Sequence, residues 1–258
     1  MIDIRLGDCL EVMKTIENNS IDAIITDPPY GTTACKWDSV IDFKLMWEQL
    51  NRIIKPNGAI VLFGSEPFSS ALRMSNIKNY KYDWIWRKTI AGNPMLAKKQ
   101  PLRVIENIIV FYNNQCTYNR QMTKAIGKIR DRRKENHFGS ESKNTVISTS
   151  KSGYSKDYNP NLRSPKNVID IKSTRGKHPT QKPLELMEYL IKTYTNENET
   201  VLDFTMGSGT TMLACKNLNR NGIGIEMNED YFNIASERVE KKRKEKEIEA
   251  PTLFNEMN

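Results

Sequence analysis

Apolar residues recur along the first 111 positions in two alternating rhythms. Ile2–Leu6 and Ile21–Thr26 are short apolar runs of strand length, and Cys9–Ile16 between them spaces its apolar side chains as a helix does. The alternation continues with a helix over Trp47–Ile54, a turn at Lys55-Pro56-Asn57-Gly58, a strand over Ala59–Phe63 and a helix over Glu66–Met74. Tyr80–Trp86 and Val104–Tyr112 read as further strands, suited to antiparallel pairing. From Asn113 to about Arg175 sustained periodicity is missing, and Asn, Ser, Lys and Arg dominate. Regular pattern resumes near His178. Pro183 opens a helix over Leu184–Thr193, and a strand follows at Thr200–Phe204. A glycine-containing turn over Thr205–Thr211 leads into a helix over Thr211–Leu218. The chain continues with a strand at Gly222–Glu226 and a long charged helix at Glu229–Glu249. Alternating β and α elements predict an α/β fold with a mostly parallel, doubly wound sheet, helices on both faces and ligands at the carboxyl ends of the strands. The expected organisation is 1–111 and 178–258 as two halves of one domain, with 112–177 a loop-rich insertion.

Composition narrows the function classes. At 258 residues, 38% of them hydrophobic, the chain suits one large domain with an insertion or two small ones. No window approaches the ~18 uninterrupted apolar residues of a membrane span, and the opening MIDIRLGDCLEVM lacks an apolar signal core, so a cytoplasmic protein without a membrane partner is expected. Cys9, Cys35, Cys116 and Cys215 are widely spaced, and His137 and His178 are the only histidines, so neither a disulfide framework nor a metal centre is expected.

The net charge of +8 is unevenly placed. Residues 112–177 hold 15 basic and 5 acidic side chains, and the remainder of the chain is slightly acidic. Arg120, Lys124, Lys128, Arg130, Arg132, Arg133 and Lys134 form the densest run, with Tyr118, His137 and Phe138 nearby. A polyanion is the simplest partner for such segregation, the alternative being a solvated loop. Residues of this kind mostly contact phosphates, which position a protein without specifying sequence.

Thr26-Asp27-Pro28-Pro29-Tyr30 ends an apolar strand. Two prolines cannot continue a central strand, so the chain must leave the sheet there. A rigid exit turn is one reading. The other is chemical: an aromatic exocyclic amine is a poor nucleophile because its lone pair is delocalised into the ring. The Asp27 carboxylate and the Pro28 carbonyl could accept its two hydrogens, with Pro28 fixing the direction of the adjacent acceptor. Tyr30 would offer a ring on which a flipped base stacks. Asp27 could also take up the proton released afterwards.

Val201 to Thr211 runs from strand to helix through Gly207 and Gly209, and the next strand ends on Glu226, an acid placed to accept from ribose hydroxyls. A nucleoside ligand is implied, although a purely structural turn is an equal reading. A phosphate-binding P-loop would need Gly-Lys-Ser/Thr, and Lys is missing. A dinucleotide fold wants a third Gly or Ala, and Met212 stands there.

These motifs, in this order, resemble the amino-methyltransferases of DNA in their permuted β class, in which the catalytic motif comes first, a target-recognition region follows and the cofactor glycine motif comes last. The resemblance covers nearly the whole chain outside the central segment. It implies S-adenosylmethionine as cofactor, double-stranded DNA as partner, base flipping, and methylation of adenine N6. Ser is commoner than Asp at the first motif position in cytosine N4 enzymes, so Asp27 argues for adenine. Cytosine N4 methylation and a nucleic-acid-binding module on an inactive methyltransferase scaffold are the alternatives. The resemblance further implies that Asp27, Pro28, Pro29 and Tyr30 are catalytic and that Asp203, Phe204, Gly207 and Gly209 form the cofactor loop. Glu226 would bind ribose, and Asp8 would meet the cofactor's adenine amine, the alternative being that Asp8 simply caps the helix after it. His178-Pro179-Thr180-Gln181-Lys182-Pro183 would close over the methionine end, with Thr180 or Lys182 pairing with its carboxylate. The family often has Asp-Pro-Phe where this chain has Asp203-Phe204-Thr205. Trp84 and Trp86 are expected to pack, and Trp37 follows the catalytic turn closely enough to reach a base. A homodimer and a separate restriction endonuclease are partners the resemblance leaves open.

Overall fold

The computed structural model describes residues 1–32, 39–126, 159–174 and 181–249, the last eight by backbone alone. Trp37, His137, Phe138 and His178 lie outside the described residues. Among those described, no helix is long and apolar enough to cross a membrane.

The elements are β1 (Ile2–Leu6), α1 (Cys9–Met13), β2 (Ile21–Thr26), α2 (Phe43–Ile53), β3 (Ile54–Gly64), α3 (Phe68–Ser75), β4 (Tyr80–Arg87) and β5 (Ile105–Phe111). After them come β6 (Thr123–Lys124), β7 (Leu162–Arg163), β8 (Val168–Ile169), α4 (Leu184–Tyr194), β9 (Thr200–Asp203), α5 (Thr210–Asn217), β10 (Asn221–Glu226) and α6 (Glu229–Glu249). Eight strands form one sheet in the order β1-β10-β9-β2-β3-β5-β4-β8. The pairs from β1 through β3 are parallel, and β5 runs antiparallel to both β3 and β4.

The sheet is buried on both faces because the middles of its central strands, Ala23–Ile25, Ala59–Phe63, Ile108–Phe111 and Val201–Leu202, are apolar without a break. Ala23, Ile25, Val61, Phe63, Ile108, Val110 and Val201 point to the face covered by Leu186, Leu190 and Tyr194 of α4 and by Ala214 and Cys215 of α5. The intervening Ile24, Ile60, Leu62, Ile109, Phe111 and Leu202 point to the other face, under Met46, Trp47 and Leu50 of α2 and Leu72 of α3. This is the period-2 alternation of a strand expressed on two packed layers. Trp84 and Trp86 are buried, and their indoles donate to the Tyr194 hydroxyl and the Ile171 carbonyl.

One expected turn is absorbed into the sheet. Lys55 to Gly58 lie inside β3, where the register against β2 jumps from Ile21↔Ile54 to Ala23↔Ala59. The turn residues form a bulge within the ladder rather than a break before it, and Lys55 pairs with Asp22 at 2.6 Å across it.

The chain separates into two compact units, Met1–Asn119 with Asn167–Asn258, and Arg120–Lys166. The first unit takes in residues on both sides of the insertion that lacked apolar periodicity. Cys116 is buried in its core, Asn119 satisfies carbonyls at the end of α4, and Val168–Ile169 pairs with β4. In the second unit the described strands are β6 and β7, an antiparallel pair.

β9 and β2 are adjacent and parallel, and the chain leaves them toward opposite faces, β9 into α5 and β2 toward α2. This makes a topological switch point, the crevice where open α/β sheets take their ligands.

Candidate active site

Asp27 stands immediately beyond β2 at that switch point. Its Oδ1 accepts from the Tyr30 hydroxyl at 2.5 Å, and its Oδ2 accepts from Lys182 Nζ at 2.5 Å. Lys182, two residues before α4, also reaches Glu106 Oε1 on β5 at 2.8 Å. Lys88, just past β4, donates to the other Glu106 oxygen at 3.2 Å. The Tyr30 hydroxyl lies 3.2 Å from Glu106 Oε1 as well. Lys182 and Glu106 are buried, with side chains 9% and 8% exposed, and the Lys182 ammonium sits 5.0 Å over the Phe63 ring. Two carboxylates and two ammonium groups therefore compensate one another in a largely buried setting.

Burial dominates the titration of Asp27 and holds it above its ordinary value, although Lys182 opposes the shift. Burial acts on Glu106 in the same direction but is outweighed by Lys182 and Lys88, so Glu106 is held below its ordinary value. The Lys182 ammonium is stabilised well beyond an ordinary lysine, because the pull of Asp27 and Glu106 overcomes its desolvation. Lys182 is thus engaged with the Asp-Pro-Pro-Tyr turn and with Glu106. Thr180 lies outside the described residues.

A second hub ties the two motifs together. Asp203, at the end of β9, accepts from the Thr26 and Thr211 hydroxyls at 2.5 Å each and from the Thr205 amide at 3.2 Å. The Thr205 hydroxyl donates to the Asp27 carbonyl at 3.1 Å. Burial pushes the Asp203 carboxyl up to about 6, against these three hydrogen bonds. Thr205 stands where the resembling family often has Phe, and here it connects the glycine turn to the backbone of the Asp-Pro-Pro-Tyr turn.

The two glycines of the turn have different reasons to be glycine. Both adopt left-handed backbone, with φ +52° at Gly207 and +74° at Gly209. A Cβ on Gly207 would meet nothing within 4 Å, because it would project into the open crevice. A Cβ on Gly209 would lie 2.8 Å from Ala235 Cβ of α6. Gly209 therefore permits helix packing and is turned away from the ligand space, whereas Gly207 borders that space. Glu226 accepts from the Gly207 amide at 2.9 Å and the Asn228 amide at 2.8 Å, and burial raises its carboxyl. Arg238 of α6 donates to the Ser208 carbonyl and hydroxyl. Asp8 caps α1, its Oδ1 accepting from the Leu10 and Glu11 amides at 2.9 and 3.2 Å.

These residues surround one cavity of about 850 Å³, within the range that encloses a sizeable ligand. Asp8, Asp27, Pro28, Pro29, Tyr30, Lys182, Asp203, Phe204, Gly207 and Glu226 all line it. The Tyr30 ring stacks on Phe68, with centroids 5.0 Å apart. The donor set suits S-adenosylmethionine: Gly207 leaves room at the turn, Glu226 and Asp8 offer carboxylates, Phe204 and Met206 offer apolar contact, and acidic walls suit a sulfonium cation.

Of the basic run, Arg120 and Lys124 are exposed on the second unit, and Lys128, Arg130, Arg132, Arg133 and Lys134 lie outside the described residues. Among the described residues there is no group of side chains that could hold a metal ion. Sequence reasoning missed Glu106, Lys88, Thr26 and Thr205. A lone acid in the run Ile105–Phe111, apolar apart from it and Asn107, is the signal that could have found Glu106, whereas Lys88 follows a strand end as any surface lysine would.

A model of the DNA methylase family covering its N6 and N4 enzymes matches residues 21–237. Type II methyltransferase M.HpaI of Haemophilus parainfluenzae is 30% identical over 254 residues, covering 91% of this chain and 73% of that protein. Type II methyltransferase M1.MboII of Moraxella bovis is 28% identical, covering 89% of this chain and 93% of its own. Among solved structures, the M1.HpyAVI complex with S-adenosylmethionine is 27% identical, covers 92% of this chain and all of its own, and superposes with a TM-score of 0.61. The cytosine-N4-specific PvuII DNA methyltransferase, at 16% identity and a TM-score of 0.63 over the full chain and 88% of its own, shares the fold.

Proposed function

The chain belongs to the DNA methylase family of N6 and N4 amino-methyltransferases, and on that premise we propose that it methylates adenine N6 in duplex DNA, on a base flipped into the cavity. The family's cofactor is S-adenosylmethionine. The observation that carries the proposal is the Asp27 carboxylate, held at the switch point in one cavity with Gly207 and Glu226.

S-adenosylmethionine supplies an electrophilic methyl group when bound, and Phe204, Gly207, Glu226 and Asp8 are the residues that would hold it. The remaining work falls to the chain itself. Each oxygen of an ionised carboxylate has two acceptor sites, so Asp27 keeps acceptor capacity beside Tyr30 and Lys182. One amine hydrogen would go to Asp27 and the other to the Pro28 carbonyl, drawing both out of the ring plane and localising the nitrogen lone pair. Lys182 favours the ionised form of Asp27 before reaction. After transfer the nitrogen carries a surplus proton, and Asp27, held above its ordinary value by burial, is a suitable acceptor. Thr205 anchors the Asp27 carbonyl and so limits drift of the turn relative to the glycine loop.

Asp at the head of the motif favours adenine over cytosine by resemblance. The basic run from Arg120 and Lys124 through Lys134 is assigned to DNA phosphates on its charge. The test is expression in cells lacking other methylases, followed by base-resolved mapping of modified DNA. N6-methyladenine in a fixed sequence context is the expected product, and N4-methylcytosine would overturn the adenine assignment.

A further inference from the structure

Between β4 and β5 the chain makes an excursion over residues 88–104, of which the catalytic reading uses Lys88 alone. It is an ordered loop. Its stem closes with the Lys88 amide on the Val104 carbonyl at 2.6 Å and the Gly92 amide on the Arg103 carbonyl at 2.9 Å. Thr89 and Ser173 exchange amide-to-hydroxyl bonds at 3.2 and 3.1 Å. Buried Asn93 acts as an internal strut, donating to the Pro101 carbonyl at 3.1 Å and accepting from the Arg103 amide at 2.6 Å. Pro94–Leu96 then forms a turn of 3-10 helix.

What this framework displays is unusual for a soluble surface. Met95 is 94% exposed, and Ile90, Leu96 and Leu102 are exposed with it. Lys98, Lys99 and Arg103 flank them, and no acidic residue occurs anywhere from Trp84 to Ile105. Grouped exposed apolar side chains on a rigid support mark an interaction surface. The flanking cations match a polyanion, and the stem residues Ile90, Gly92 and Arg103 line the cavity that holds Asp27. The loop is therefore continuous with one wall of that cavity.

We propose that residues 88–104 are a DNA-inserting loop, in which the Met95–Leu96 turn enters the duplex beside the target base while Lys98, Lys99 and Arg103 meet the adjacent phosphates. Apolar wedges of Met and Leu are well suited to separating stacked bases. Unstacking is the cost a base-flipping enzyme has to meet, and it is least where the base is already unpaired. The wedge would occupy the space the base leaves and slow its return. The inference rests on the cavity being the seat of a flipped base, whichever base that is.

The test uses duplex oligonucleotides carrying the sequence mapped in cells, in two forms: fully paired, and with an abasic site opposite the target. The M95A/L96A double variant is expected to lose about tenfold in kcat/KM on the paired duplex and to stay within about twofold of the parent on the abasic one. Cofactor affinity should match the parent's and the melting temperature should fall only slightly, since Met95 is 94% exposed and Leu96 is partly exposed. Parental activity on the paired duplex would overturn the proposal, and so would an equal loss on both substrates. A change in solution mass with an unchanged ratio would overturn it in favour of contact with a second copy of the chain. A cytosine product would remove the adenine assignment and leave this test standing, because the comparison is between paired and unpaired targets.

Discussion

Lys182 Nζ lies 2.5 Å from Asp27 Oδ2, although 155 positions separate the two residues along the chain. The same ammonium holds Glu106, and Lys88 completes an arrangement of two carboxylates and two cations. Removing Lys182 would leave both carboxylates without the cation they share.

Lys182→Met therefore removes the cation that opposes the upward shift of Asp27. Asp27 then titrates at higher pH, and the acidic limb of the kcat/KM–pH profile moves upward. Lys182→Arg, which retains the charge, should restore most of that limb. Stability falls by about 3–5 kcal/mol in the Met variant if the carboxylates remain ionised. A pH profile superposable on the parent's would show that Lys182 does not govern Asp27.

Asp27→Ala is expected to abolish methyl transfer to DNA while cofactor affinity stays near the parent's, because the lost interaction acts in the transition state. Tyr30→Phe keeps the ring stacked on Phe68 but withdraws the hydroxyl from Asp27. A hydrogen bond to a charged group is worth about 1.5–3 kcal/mol, and the loss should appear mainly in kcat. Tritiated methyl transfer, with binding measured separately, checks both variants.

Glu226 accepts two backbone amides and borders the cavity. Glu226→Ala should weaken S-adenosylmethionine binding by about 1.5–3 kcal/mol. Calorimetry without DNA reads this directly, and unchanged affinity would remove Glu226 from the cofactor site.

The glycines of the turn should separate by phenotype. Gly207→Ala has space for its methyl group but must hold φ at +52°, so it should weaken cofactor binding with a stability loss of about 1–2 kcal/mol from backbone strain alone. Gly209→Ala drives a Cβ to 2.8 Å from Ala235 and should lower the melting temperature whether or not cofactor is present. Thermal melts of both variants with and without S-adenosylmethionine distinguish a ligand contact from a packing contact.

Asp203 links pH to stability. Its folded carboxyl is pushed up to about 6 from an ordinary 3.8, so the native state favours the protonated form. That contribution is complete below about 3.8 and is lost as pH rises through about 6. The difference is worth roughly 3 kcal/mol. Relative to Asp203→Asn, which does not titrate, the parent should gain stability as pH is lowered from 7.5 to 4.5. A parent–variant gap in melting temperature that stays constant over that range would contradict it.

The sequence by itself determined the fold class and most elements, because strand and helix periodicities are local properties. Ile21–Thr26 and Glu229–Glu249 occupy the bounds their patterns predict, and the prolines after Asp27 force the exit that creates the Asp-Pro-Pro-Tyr turn. The order of the motifs was equally local. Only the tertiary structure decided which groups meet. Lys182 faces Asp27 and Glu106 because α4, β2 and β5 converge at the switch point, and no spacing rule relates positions so far apart in the chain. Gly207 and Gly209 look alike in sequence, yet one borders the ligand space and the other lies against α6, since only packing distinguishes neighbouring directions on a turn. Lys55 to Gly58 read as a turn because Pro and Gly break local structure, but pairing with β2 holds them in the sheet as a bulge. Long-range contacts override local preference wherever burial supplies more free energy than the turn does.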